Sequence, residues 1–246
     1  MMVQESENVE NGVVKMNDIK FNPINSFDDF TDALHKAGMS IGGANGEGVF
    51  TLCDYFGDNI EWHTAIPVTD PWEWRMRVLD ERDDIVYAKL FFKKSGYITK
   101  DWYPYFYAVR RGRKVFDEEY SDGTISLYAK KIYELICQND SLPLHLIKQL
   151  GDFSKDDKSK FDNAITELQM KMYITMCGRT RKRSKLGDEY GWSSTVFCTT
   201  ESFFEPDVFE MADKLSPEEA YAKIKEQIYR LNSNADEKKV KKFILG

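Results

Sequence analysis

An α+β, helix-rich fold is predicted for this chain, with a winged helix-turn-helix as its clearest part, between Thr124 and Thr200. Two observations carry that expectation. Three successive segments repeat apolar residues at helical spacing, and two segments of period-two alternation then flank a strongly basic loop. Three helices followed by a strand, a loop and a strand is a helix-turn-helix with a hairpin appended.

The first helix carries Ile125, Tyr128, Ile132, Leu135 and Ile136 on one face. It stops at the polar run Gln138-Asn139-Asp140. Pro143 opens the second helix, where a missing N–H costs nothing. Leu144, Ile147 and Leu150 form its stripe, and Gly151 suits its end. A polar turn over residues 152–156 leads to the third helix. There Phe161, Ile165 and Leu168 face inward, leaving Lys158, Lys160, Asn163, Thr166 and Gln169 outward.

Met172, Ile174 and Met176 then alternate with Tyr173, Thr175 and Cys177 as in a strand, and Trp192 to Thr200 repeats the pattern. Between them, Arg179, Arg181, Lys182, Arg183 and Lys185 place five cations in seven residues, in a chain of formal net charge −7. Such side chains on a wing neutralise phosphates and release counterions. Ordinary decoration of a solvated loop is the plainer alternative.

Residues 1–25 are polar and acidic and read as a disordered tail. Residues 26–120 form an N-terminal α+β module, 121–204 the winged-helix domain, and 205–246 C-terminal helices that pack back on the body. Ser26 with Asp29 marks a helix start, and Phe27, Phe30 and Leu34 give its stripe. The glycine-rich run from Gly42 to Gly48 has no closing Gly-Lys-Ser/Thr and reads as a loop rather than a phosphate cradle. Asp70-Pro71 with Glu73 is a helix start. Trp62, Trp72 and Trp74 around it either lock a core or line a pocket. Ile85 to Thr99 is extended, and a helix follows to Val109. Arg110-Arg111-Gly112-Arg113-Lys114 then complements a helix C-terminus or touches phosphate. Pro206 to Asn232 and Asp236 to Leu245 are helical, with Ser216-Pro217-Glu218-Glu219 as an internal start. No internal repeat is visible in the residues.

Aromatic content is high, with 13 Tyr, 16 Phe and 5 Trp, enough for a large core or for base stacking. The acidic balance argues against a general nucleic-acid coat and leaves room for a local basic patch. Cys53, Cys137, Cys177 and Cys198 lack metal-ligand spacing. With His35, His63 and His145 as the only histidines, neither a metal nor another cofactor is expected. No apolar run reaches membrane-spanning length and no signal core opens the chain, so a soluble cytoplasmic protein is expected.

Tyr87, the run Phe91-Phe92-Lys93-Lys94-Ser95-Gly96-Tyr97-Ile98, then Trp102-Tyr103-Pro104-Tyr105 and Arg110-Arg111, followed by the three helices and hairpin, resemble the AlkZ-related proteins over residues 60–200. These are relatives of winged-helix DNA glycosylases that unhook alkylated and crosslinked bases. The resemblance implies a tandem winged-helix architecture with residues 26–120 as a degenerate first module. The glycosylases carry Gln-x-Gln or Gln-x-Asp, often before Pro. This chain has Val68-Thr69-Asp70-Pro71, which keeps Asp70 and Pro71 and puts Val68 in place of the glutamine. If base excision occurs, Asp70 is the candidate carboxylate, with Trp62, Trp72 or Trp74 as stacking wall and Glu61 or His63 as helper. The expected partner is double-stranded DNA, through Arg179, Arg181, Lys182, Arg183, Lys185, Lys158 and Lys160. The alternative is a non-catalytic protein-interaction module, favoured by Asp156, Asp157, Asp162 and Glu167 along the third helix.

Overall fold

The computed structural model describes residues 19–183 and 187–246. The first half begins with α1 (Phe27–Ala37), where the Ser26 hydroxyl accepts from Asp29 N–H and the Asp29 carboxylate accepts from Asn25 N–H. Gly38 ends it at φ 85°, and a Cβ there would lie 2.1 Å from the Trp102 ring, so only glycine fits. After it come β1 (Met39–Ile41), a 3-10 turn over Leu52–Tyr55, and α2 (Pro71–Glu81). The extended stretch expected at 85–99 is a hairpin, β2 (Ile85–Phe91) and β3 (Lys94–Thr99). Its turn is Phe92-Lys93, at φ 53° and 62°. Such a turn normally takes Asn and Gly. Phe92 is held there by packing on Phe243 at 6.2 Å. Then come α3 (Tyr103–Arg110) and α4 (Phe116–Ser121).

The second half runs α5 (Leu127–Asn139), β4 (Ser141–Pro143), α6 (Leu144–Leu150), α7 (Lys158–Met170), β5 (Ile174–Arg183) and β6 (Glu189–Thr199). The short β4, not expected between the polar run at 138–140 and the helix that Pro143 opens, pairs with β6 from Ser141↔Cys198 to Pro143↔Val196. The chain ends with α8 (Thr200–Phe203), α9 (Pro206–Asp213), α10 (Pro217–Leu231) and α11 (Glu237–Leu245). Ser216 and Glu219 make a reciprocal capping box at the start of α10.

Among the described residues, six strands form one antiparallel sheet in the order β1-β3-β2-β5-β6-β4. This order reads the same from either end. The element sequence α1, β1, 3-10 turn, α2, β2, β3 is matched by α5, β4, α6, α7, β5, β6. The two halves therefore repeat one topology about a local two-fold axis and meet where Tyr87 of β2 pairs with Met176 of β5. Each half also sends its last helix before the hairpin across the join: α2 packs on β5, and α7 on β2.

Two apolar cores follow this division. One gathers Phe30, Leu34, Trp74, Phe91 and Ile98 with Ile224, Ile228, Val240 and Phe243 of α10 and α11. Phe91 and Phe243 stack at 3.8 Å. The other gathers Phe116, Ile132, Ile136, Phe161, Leu168, Tyr173 and Phe197. Phe116, placed by sequence in the N-terminal module, belongs to this second core. Met176 touches both. Part of the stretch expected to be a disordered tail is packed: Ile24 is buried and bridged to Phe56, and Ile19 N–H donates to Arg230 C=O. Residues 1–18 lie outside the described residues.

Candidate nucleic-acid interface

The basic hairpin forms as two strands in register, with Arg179↔Thr195, Lys182↔Tyr190 and Arg183↔Glu189. Irregularities between Met176 and Gly178, and again between Thr180 and Lys182, bend it. β2 flanks β5 only at Met176, and β4 flanks β6 only up to Val196. From Arg179 outward the hairpin therefore leaves the sheet as a two-stranded arm. Arg181 and Lys182 are exposed on it. Lys182 stands near enough to His145 of α6 that burial, and then this cation, lower the imidazole pKa. Arg183 lies at the end of β5, and Lys185 lies outside the described residues. Lys158 and Lys160 are exposed in the first turn of α7, with the Lys160 ammonium 5.4 Å from the Tyr128 ring centre.

Arg179 is already engaged. Its guanidinium grips Asp80 of α2 at 2.8 and 2.9 Å. A matching crossing occurs on the other side of the join. Gln169 of α7 accepts from the Lys89 backbone N–H of β2 at 2.9 Å, and the Lys89 ammonium donates to Thr166 at 3.3 Å. Thr166 and Gln169 are buried, 6% and 1% exposed. The sequence pattern places them on the free face of the third helix. The reason they are not there is tertiary: β2 of the other half covers that face, so only the stripe through Lys160 and Asn163 stays open.

Asp70 stands at the start of α2 with no exposed surface. Its carboxylate accepts from the backbone N–H groups of His63 (3.0 Å), Thr64 (2.8 Å), Ala65 (3.0 Å) and Trp72 (2.8 Å). His63 and Ala65 take positive φ, 64° and 59°, to aim these donors. Burial pushes the Asp70 pKa up, but the four N–H donors outweigh it and hold the group below its ordinary value. The carboxylate is an anion spent on closing a loop, with no face turned to a substrate.

The three tryptophans are not brought together. Trp74 is in the core, 1% exposed, among Phe27, Phe30 and Phe56, with its indole N–H on Val68 C=O at 3.2 Å. Trp62 and Trp72 are at the surface, 40% and 41% exposed, on either side of His63. One face of Trp72 already carries the Arg75 guanidinium, 3.1 Å from the ring centre.

Arg110 and Arg111 are buried, so neither extends the basic arm. Arg110 donates to Leu90, Met170, Phe243 and Ile244 carbonyls at 2.6–3.3 Å, tying the ends of β2, α7 and α11 together. Arg111 lies 3.6 Å over the Tyr173 ring and 3.3 Å from Glu201. The expected complement to helix C-termini is thus made by Arg110, but to helices distant in sequence from its own. Among the described residues no group of three His, Cys, Asp or Glu is placed to hold a metal ion, and no helix is long and apolar enough to cross a membrane.

The described residues of this helix-rich α+β chain place six strands in one antiparallel sheet, with a basic arm leaving it. The family model described as AlkZ related matches residues 24–245, and the chain belongs to that family. No curated protein and no solved structure matches it significantly.

Proposed function

We propose that this protein is a duplex-DNA-binding member of its family, built from two winged-helix modules whose third helices, α2 and α7, each pack across the join, α2 on β5 and α7 on β2. The wing of the second module is the pair of strand ends from Arg179 to Arg183 and from Glu189 to Thr195, and Phe92-Lys93 is the reduced wing of the first. The observation that carries the reading is this arm: exposed Arg181 and Lys182, leaving the sheet of an acidic protein. Arg183 and Lys185 extend the same run in sequence. Contacts of this kind go to phosphates and position a duplex without reading its bases.

Fluorescence anisotropy with a labelled duplex across salt tests it. Binding should weaken steeply as salt rises, and R181A/K182A should flatten the log–log slope by about 0.9 for each phosphate that is no longer neutralised. Wild-type protein that leaves the duplex free at low salt ends the proposal.

The family relation to glycosylases of alkylated or crosslinked bases makes base excision the enzymatic question. The reading here is non-catalytic with respect to Asp70, because that side chain is buried and its oxygens are engaged. Incubation with alkylated duplex and scoring of abasic sites is expected to give none; cleavage abolished by D70N would reverse this. One observation supports the second reading, a protein partner. Trp62, Ile66, Val68 and Trp72, 40–64% exposed, lie on one short segment before and at the start of α2. DNA-independent capture of a defined partner, abolished in W62A/V68S, would favour that reading.

A further inference from the structure

Away from the arm, a cavity of about 480 Å³ lies between the Phe92-Lys93 turn, the outer stripe of α7 and the end of α11. Lys93, Arg110 and Lys171 line it, with Asn163 on the open side and Leu245 and Gly246 closing one wall. Glu167 is the one carboxylate side chain in the lining, and its two oxygens accept from Ser126 N–H (3.3 Å) and the Ser126 hydroxyl (2.9 Å). Lys171 is shared with Glu119 at 3.0 Å. Lys242 lies outside the lining, its ammonium 5.8 Å from the ring centre of Phe92, the residue before Lys93.

Arg110 forms the floor. It is 5% exposed, and its partners are neutral carbonyls. Among the described residues no ion pair to Arg110 is formed. Burial without a counter-charge pulls its pKa down to about 9. Those bonds use four of its five N–H groups. Lys171 is paired with Glu119 and Glu167 adds one negative charge, so Lys93 and Arg110 are the cations of the lining that form no ion pair among the described residues, in a chain of net charge −7. Lys160, Asn163, Glu167 and Lys171 fall at three- and four-residue spacing on α7, so one helix face leads from the exposed start of α7 into the cavity.

We infer that this cavity seats a phosphodiester group of nucleic acid, with Lys93 and Lys171 as its charged contacts, Asn163 as a neutral donor, and Arg110 as a fixed positive floor. The inference rests on the DNA-binding reading and names a second contact that is not on the arm. The backbone of the bound strand passes from Lys160 along α7 to the mouth beside Lys242.

The test uses the full chain with K93G/K242Q, with the single variants K93G and K242Q alongside, and K223Q on α10 as a control for loss of one exposed charge. Gly tolerates the φ of 62° at position 93, and Lys242 is exposed, so the double variant keeps its fold, checked by circular dichroism. A labelled duplex is titrated across salt, and lysine acetylation is mapped by mass spectrometry with and without duplex. Expected are a drop in affinity of about 10-fold at low salt, a slope smaller by about 1–2, protection of Lys93 by duplex, and no change in K223Q. Wild-type affinity and slope in K93G/K242Q, with Lys93 unprotected, overturn the cavity assignment and leave the arm's role standing. Absence of any duplex binding by wild-type protein overturns both. Tighter binding of a polyglutamate peptide of equal charge, abolished in K93G/K242Q, overturns the nucleic-acid assignment in favour of an acidic protein.

Discussion

Asp70 shows how a residue that looks reactive is consumed by architecture. An aspartate before Pro-Trp-Glu caps a helix, and here it also gathers three loop N–H groups from residues 63–65. Replacing it with Asn keeps the shape, removes the charge and turns one acceptor into a donor that faces N–H groups. D70N should destabilise the protein by about 1–3 kcal/mol in urea unfolding, the cost of stranded buried donors. The pH dependence has a definite sign. The folded-state pKa of Asp70 is lowered, so its contribution is fully present above the ordinary carboxylate pKa and is lost as pH falls through the folded value. Wild-type stability should therefore fall with acidification below about pH 4. D70N should show a shallower fall over that window. An unchanged midpoint in D70N would mean that the loop closes without the anion.

At the scale of elements, the charge at the base of the arm sets a second expectation. Arg179 bridges to Asp80, and both side chains are about one-third exposed, 37% each, so the pair is worth about 0.2–1 kcal/mol in stability. D80N frees Arg179 without touching the arm. Under the DNA reading it should tighten duplex binding by a few-fold and leave the unfolding midpoint nearly unchanged; R179A in the D80N background should cancel the gain. Weaker binding in D80N would show that the bridge aims the arm rather than restrains it.

The elements themselves are largely legible in the residues. α5, α7, β5 and β6 follow from local periodicity, and the starts of α1, α2 and α10 from their capping residues. What stays hidden depends on contacts far apart in sequence. Gln169 and Thr166 are polar and fall on the outer stripe of an amphipathic helix, so nothing local marks them as buried under β2. Arg110 in a basic run resembles a surface cation, yet it serves carbonyls as far away as Ile244. The three-residue β4 is too short for an alternating pattern, and Phe92-Lys93 is an unusual pair for its turn. The Asp70 cap can be read directly, and the resemblance supplies the competing catalytic role.

For the whole molecule, the decisive feature is that the repeat is one of topology and not of residues. Each half contributes three strands, and the halves join by β2 and β5, so neither has a complete surface alone. A chain of residues 115–204 would keep its own core of Phe116, Phe161, Leu168, Tyr173 and Phe197. It would also uncover the inner edge of β5 at Met176, together with Gln169 and Thr166, which β2 now satisfies. An unpaired edge of that kind invites association with another copy. The described body should therefore unfold in a single transition, with tryptophan fluorescence reporting on the first core and far-ultraviolet dichroism on both. Residues 115–204 expressed alone should be less stable and should self-associate in sedimentation velocity. Noncoincident transitions in the full chain, or a monodisperse and equally stable fragment, would show two independent units. The join between β2 and β5 would then be a docking contact rather than part of one cooperative fold, and α2 and α7 would be free to leave β5 and β2 and expose the faces that they now bury there.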